Sequence, residues 1–109
     1  MELTDMTKEL HDSTKRLKEA ETKLYELAKQ KAEAEREYRQ ALHRAIMEYK
    51  DNGERATLIP DLARGKASEE KFERDLADAR YTAGRESLDA IKTQVSAVQT
   101  ILKFHEEVD

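Results

Sequence analysis

The chain has 109 residues, of which 40% are charged and only 6% aromatic, and its formal net charge is −4. This length suggests one domain. So few bulky side chains disfavour a large globular core and favour long helices, which bury only a narrow stripe. The sequence contains no cysteine, which excludes disulfides and thiolate chemistry. The net acidity argues against nonspecific nucleic-acid binding, which depends on a basic surface.

The sequence also predicts a cytosolic protein that does not enter a membrane. The N-terminal stretch MELTDMTKELHD is acidic and polar, unlike a signal peptide. No apolar run approaches the ~20 residues that cross a bilayer. The lack of cysteine fits a reducing compartment, so we expect the cytosol.

A first long amphipathic helix is predicted from about Thr4 to Lys50. Apolar or small residues recur in alternating steps of three and four, and the positions between them are mainly charged. The polar stretch 51–53 then supplies Gly53 as a C-cap. The stripe consists of Leu3, Met6, Leu10, Ser13, Leu17, Ala20, Leu24, Leu27, Lys31, Ala34, Tyr38, Ala41 and Ala45, and it widens near Tyr38 to include Leu42, Ile46 and Tyr49.

A second long helix is predicted over 68–107. Ser68 is suited to the N-cap, and Glu69 and Glu70 fall in the first turn, where the helix dipole favours acids. No proline interrupts the pattern that follows. Its stripe consists of Phe72, Leu76, Ala77, Tyr81, Gly84, Leu88, Ile91, Val95, Val98, Leu102 and His105.

Two long helices joined by a short connection are expected to fold back as an antiparallel, coiled-coil-like hairpin, which gives an all-α single domain over 1–109. Matching the two stripes places the midpoint of the turn at Ile59-Pro60. The resulting pairs include Leu17–Leu102, Leu24–Val95, Tyr38–Tyr81, Leu42–Leu76 and Ile46–Phe72.

The connection, residues 51–67, is called the tip below and is expected to hold a short helical turn. Thr57 is a candidate cap, Pro60 fits a first turn, and Gly65 is expected to end the turn. One interpretation is that Leu58, Ile59 and Leu62 plug the end of the hairpin over Tyr49 and Phe72. The alternative is that they are available to a partner.

A hairpin of two helices covers each side chain of its stripe on one side only. Further apolar residues lie beside that stripe and widen the apolar face. We therefore expect self-association, most simply a homodimer that forms a four-helix bundle. The candidate residues for this contact are Tyr25, Ala28, Ala32, Ile101 and Phe104.

No motif predicts a reaction. The sequence has no glycine-rich phosphate loop and no nucleophile motif, and its carboxylate pairs lie on charged helix faces. It also lacks the Glu-x-x-His pattern of di-metal bundles. The sequence therefore predicts no enzyme activity, no catalytic residue, no metal site and no cofactor.

Three stretches, KAEAEREYRQAL, ATLIPDLARG and RDLADARYTAGRESLDAIKTQVSAVQTIL, carry a resemblance to a known group. With them, nearly the whole chain resembles a family of small uncharacterised proteins encoded by phages and prophages of Gram-positive bacteria. The resemblance implies a phage-related cytosolic protein from an early replication or recombination region. It transfers no catalytic or binding residue.

Two classes of function follow from these patterns. The first is a non-enzymatic interaction protein, a helical-hairpin oligomer that binds a host or phage protein. The candidate partner-binding residues are Arg55, Leu58, Ile59, Leu62, Arg64 and Lys66. The alternative is a nucleic-acid-associated accessory factor that uses basic residues near the tip, namely Arg44, Lys50, Arg55, Arg64 and Lys66.

Overall fold

A computed structural model describes residues 2–108, which form three α-helices and no strand. Helix α1 spans Leu3–Asp51, α2 spans Ile59–Lys66 and α3 spans Ser68–Val108. The sequence predicts 4–50 and 68–107 for the two long helices. The fold is an all-α helical hairpin, and a short helix lies within its connection.

The C-terminus of α1 is closed by Gly53, as predicted. Gly53 has φ of 77° and is the only described residue with a positive φ. The Gly53 N–H donates to the Lys50 carbonyl at 3.0 Å, and the Glu54 N–H donates to the Tyr49 carbonyl at 3.1 Å. These two bonds form a Schellman motif, which satisfies carbonyls that the helix end would leave free.

Helix α2 differs from the predicted turn at both ends. Its N-cap is Leu58, without a side-chain cap, so Thr57 does not have the predicted role, although Pro60 does lie in the first turn. Gly65 does not end the helix, which continues to Lys66 and breaks at Ala67, where φ is −93° and ψ is 17°. The Lys71 N–H then donates to the Ala67 carbonyl at 3.0 Å. Helix α3 therefore starts almost directly from α2, with a bend at one residue.

The chain divides into two compact units, each with a part of α1 and a part of α3. One unit is Leu27–Tyr81, and the other combines Met1–Glu26 with Thr82–Asp109. The unit Leu27–Tyr81 also contains the whole of α2. No helix among residues 2–108 is long and apolar enough to cross a bilayer.

In the unit Leu27–Tyr81, α2 and the residue that follows it pack through one isoleucine and two alanines at four-residue spacing. Ile59, Ala63 and Ala67 share one face of the chain and are 6%, 0% and 1% exposed. Ala67 belongs to a buried cluster with Tyr38 and Ala41 of α1. Alanines on this face bring α2 close to α1. They also place the start of α3 level with Tyr38 along the axis of α1.

In the unit Leu27–Tyr81, this position of α2 shifts the register of α1 and α3 by about seven to ten residues from the predicted one. The prediction pairs Tyr38 with Tyr81. Instead the Arg74 guanidinium lies over the Tyr38 ring at 4.5 Å, and the Lys31 ammonium lies over the Tyr81 ring at 4.8 Å. Each tyrosine thus meets a residue one heptad earlier in the other helix. The predicted register is wrong because α2 runs back along α1 instead of forming a turn at its end.

The predicted pair Ile46–Phe72 is wrong for the same reason. Phe72 is 59% exposed and does not fill the end of the hairpin. Ile46 lies beside α2 instead, near Ile59 and Pro60. Leu42 packs against the cluster that contains Ala67, so α2 and the bend after it take the place expected for the first turns of the second long helix.

The unit of Met1–Glu26 and Thr82–Asp109 has its own buried stripe, with Met6 and Ser13 on α1 and Leu88, Val95 and Val98 on α3. The Gln94 amide donates to the Glu9 carboxylate across the two helices at 3.2 Å. In the predicted register these residues would lie ~22 Å apart along the helix axis at ~1.5 Å per residue. The predicted pairs Leu17–Leu102 and Leu24–Val95 belong to that register and are therefore wrong.

Candidate partner-docking site beside helix α2

The three apolar residues predicted for the tip do not act together. Ile59 is buried at 6% exposure, whereas Leu58 and Leu62 are 48% and 37% exposed. Leu58 and Leu62 lie one turn apart, so they share the outer side of α2. The interpretation that all three plug the hairpin over Tyr49 and Phe72 is wrong for the two leucines, because only the Ile59 side of α2 faces the helices.

The predicted basic residues of the tip also separate into two kinds. Lys66 forms an ion pair with Glu48 of α1 and lies over the Tyr49 ring at 5.6 Å, and Arg64 forms an ion pair with Asp61 within α2. Arg55 has no ion pair among the described residues and is exposed. Two of the predicted cations are therefore balanced by acids of the same chain.

A groove of about 370 Å³ runs between α1 and the side of α2 opposite to Lys66. Its size is at the small end of the ~300–1,000 Å³ typical of ligand-binding clefts. We call it the α1–α2 groove, and its lining residues are Tyr38, Leu42, Ile46, Lys50, Ala56, Ile59, Pro60 and Arg64. Six of these eight are apolar or aromatic, and none is acidic. Of the predicted partner-binding residues, the groove brings together only Ile59 and Arg64.

The sequence contained one signal for this groove. The stripe of α1 widens at Leu42 and Ile46, which is more apolar surface than one partner helix covers. Sequence reasoning assigned that surface to the second long helix. Ala56 and Pro60 line the groove because of the direction that the chain takes after Gly53. The hydrophobic periodicity of the sequence does not encode that direction.

The electrostatics of the groove come from its two cations. Lys50 lies in the last turn of α1, where the helix dipole favours a positive charge. It makes no ion pair within residues 2–108. Arg64 is held by Asp61, whose side chain is 81% exposed. Exposed ion pairs of this kind contribute little stability, so Arg64 can exchange Asp61 for another carboxylate.

A second polar cluster joins α1 and α3 further along the unit Leu27–Tyr81. Lys31 pairs with Asp78 at 3.0 Å, and Arg74 lies 3.7 Å from Glu35. Hydrogen bonds from Lys71 and then from Arg74 lower the pKa of the Asp75 carboxyl. The hydrogen bond between Arg74 and Asp75 also raises the pKa of the Arg74 guanidinium. Every member of this cluster has a partner in the chain, which is typical of a cluster that holds helices together.

The candidate residues for self-association remain accessible on the two units. Tyr25, Ile101 and Phe104 are 71%, 47% and 63% exposed, and all three belong to the unit of Met1–Glu26 and Thr82–Asp109. Ala28 is half-buried and Ala32 exposed, and both belong to the other unit.

Chemistry at the groove is limited by what lines it. It contains no carboxylate and no imidazole, and its only ionisable side chains are those of Tyr38, Lys50 and Arg64. Within residues 2–108, no group of three or more His, Asp or Glu side chains is placed to hold a metal ion. The arrangement is suited to binding an apolar group that carries negative charge.

By its fold the protein belongs to the class of helical hairpins, and a groove lies between α1 and α2. Comparisons with family models, curated proteins and solved structures yield no match. No relative therefore supplies a site residue or a partner.

Proposed function

We propose that this protein is a non-enzymatic, phage-related accessory protein of the host cytosol that binds another protein through the α2 end of its hairpin. The observation that carries the proposal is the α1–α2 groove, an apolar cleft on a chain of which 40% is charged. Apolar clefts with a few polar groups at their edge are the usual form of binding sites.

The outer side of α2 supports the same location. Leu58 and Leu62 are exposed next to each other on a short helix, on the flank opposite to the groove. Isolated exposed leucines need no explanation, but neighbouring apolar residues on an exposed end are frequent at protein contacts. We propose that a protein partner contacts both flanks of α2, and that the hairpin itself associates through Tyr25, Ile101 and Phe104.

Nucleic-acid binding is the less favoured alternative. Arg64 and Lys66 are paired with Asp61 and Glu48, so phosphates would have to displace these acids. Of the five cations in that hypothesis, Arg44, Lys50 and Arg55 have no acidic partner in the described part of the chain. Three separate cations give a weak site, because nonspecific affinity grows with the number of phosphates neutralised.

The test compares a variant that removes the two exposed leucines of the tip with a variant that removes one exposed leucine elsewhere on the chain. The double variant Leu58→Ser/Leu62→Ser alters the tip, and Leu3→Ser, at 50% exposure, is the matched control on α1. Full-length proteins are cross-linked in host cells, the captured proteins are identified, and each is purified and assayed directly for binding. We expect at least one protein that binds the wild type and Leu3→Ser directly but binds the tip variant more weakly.

Circular dichroism controls for loss of helix in each variant. The proposal is wrong if every protein that binds the wild type binds the folded tip variant equally well. Retention on single- or double-stranded DNA is measured in parallel. Strong retention that falls steeply with salt and is lost in Arg55→Ala would favour the nucleic-acid alternative.

A further inference from the structure

We infer that the α1–α2 groove recognises an acidic–apolar segment of the protein partner, in which a bulky apolar side chain enters the groove and a neighbouring carboxylate contacts Lys50 and Arg64. This inference rests on the proposed function and specifies its ligand. The groove is defined by the contacts of α1 with α2, so it belongs to one compact unit of the chain.

The apolar part of the ligand follows from the walls of the groove. Leu42 and Ile46 line one side from α1, and Ile59 and Pro60 line the other from α2. The Ile59 N–H donates to the Arg55 carbonyl at 3.2 Å and Pro60 has no backbone N–H, so neither residue presents an unpaired backbone donor to an apolar ligand. A volume of about 370 Å³ has room for a few side chains but not for a packed helix. The groove is therefore suited to one or two anchoring residues of a short segment.

The acidic part follows from the charges at the edge. Both charged lining residues are cations, and the chain as a whole carries −4. Lys50 lacks an acid within residues 2–108, and Arg64 is held only by the exposed Asp61. A carboxylate beside the apolar anchor would pair with Lys50 and compete with Asp61 for Arg64. A basic segment would be repelled at the same two positions.

The same geometry disfavours a nucleic-acid strand in the groove. Binding of single strands depends on aromatic rings that are open to stacking. The one aromatic residue of the groove is Tyr38, which is 8% exposed and covered by the Arg74 guanidinium at 4.5 Å. The remaining walls are aliphatic and offer no platform for a base.

The experiment selects ligands from a random peptide library displayed on mRNA. Full-length protein is the bait, and the variant Ala56→Trp is used for counter-selection. Ala56 is exposed in the connection before α2 and lines the groove, so tryptophan there fills the groove without entering the buried core. We expect the enriched peptides to combine Leu, Ile or Phe with adjacent Asp or Glu. Enrichment of basic or purely polar peptides overturns the inference, and so does enrichment that Ala56→Trp does not remove.

The charge requirement is tested on one enriched peptide, synthesised with a fluorescent label. Its dissociation constant is measured for wild type, for Lys50→Glu and for Lys92→Glu, a matched charge reversal on the exposed surface of α3. Lys50→Glu replaces an attraction by a repulsion, so we expect binding about fivefold weaker, with Lys92→Glu unchanged. Equal affinities for all three proteins overturn the inference.

The two proposals fail in different ways. If the captured partner is lost from the leucine variant of the tip but binds Ala56→Trp and Lys50→Glu normally, the proposed function stands and the acidic–apolar ligand is wrong. If the partner binds all of these variants normally, the proposed function is wrong as well. A single-stranded oligonucleotide that displaces the labelled peptide and binds more tightly would identify nucleic acid as the occupant and overturn both.

Discussion

Replacement of Ile59 by Ala should destabilise the protein much more than replacement of Leu62 by Ala, although both residues belong to α2. Ile59 is 6% exposed and Leu62 is 37% exposed. Ile→Ala removes three carbon atoms, worth ~2.4 kcal/mol of burial at ~0.8 kcal/mol for each CH₂. The groove beside Ile59 is open, so little enclosed cavity remains, and the higher helix propensity of Ala offsets a few tenths of a kcal/mol. We expect a loss of about 2 kcal/mol for Ile59→Ala and of ~1 kcal/mol or less for Leu62→Ala.

Urea unfolding followed by far-UV circular dichroism measures both losses. Hydrogen exchange adds a local measurement, because the Leu62 N–H donates to the Leu58 carbonyl at 3.0 Å and the Ala67 N–H donates to the Ala63 carbonyl at 3.0 Å. In Ile59→Ala these two amides should exchange faster than in Leu62→Ala, since α2 loses its anchor on α1. An equal or larger loss of stability in Leu62→Ala would refute the assignment of the buried and exposed sides of α2.

Three further predictions concern the turn, the ion-pair cluster and self-association. Gly53→Ala should lower the free energy of unfolding by about 1–2 kcal/mol, because φ is positive there. Gly65→Ala lies inside α2 with open space around it, so it should stabilise the protein by ~1 kcal/mol in the same thermal or urea assay. Equal effects of the two substitutions would contradict these backbone conformations. The lowered pKa of Asp75 means that its stabilising contribution is complete above its ordinary value of 3.8 and is lost as the pH falls through the lower folded value. The difference in stability between wild type and Asp75→Asn should therefore shrink on acidification below that pH, and a difference that grows would be the contrary result. Sedimentation equilibrium at micromolar concentration should give an average mass above the 12.6 kDa of one chain, reduced in Phe104→Ser; a constant monomer mass would exclude self-association in this range.

Sequence reasoning found the two long helices and the Schellman glycine, because both have strong local signals. Heptad periodicity extends over both helices, and a polar turn with Gly53 follows the first. Thr57 and Gly65 predicted the bounds of a short helical turn, but α2 has its N-cap one residue after Thr57 and continues past Gly65. Gly65 lies within the helix because Ala67, and not the glycine, provides the bend before α3.

The register could not be predicted from the same periodicity. A heptad pattern repeats, so sliding one helix by one heptad again sets apolar residues against apolar residues. Only the tip breaks this degeneracy, through the docking of α2 on α1. That docking depends on Ala63 and Ala67, which are fully buried but carry little hydrophobic signal in a sequence. The groove follows from the same docking, which explains why its residues were not recognised together.

The distribution of charge around α2 connects the fold to the kind of partner. On one flank, Lys66 is held by Glu48 and lies over the Tyr49 ring, so this cation serves to attach the tip to α1. On the other flank, Lys50 faces an apolar groove and no acid of the chain pairs with it within residues 2–108. If the tip bound phosphates, the cations would be expected to form one continuous surface. A single free lysine beside an aliphatic cleft fits recognition of one carboxylate next to an apolar anchor, which is chemistry that a protein segment supplies.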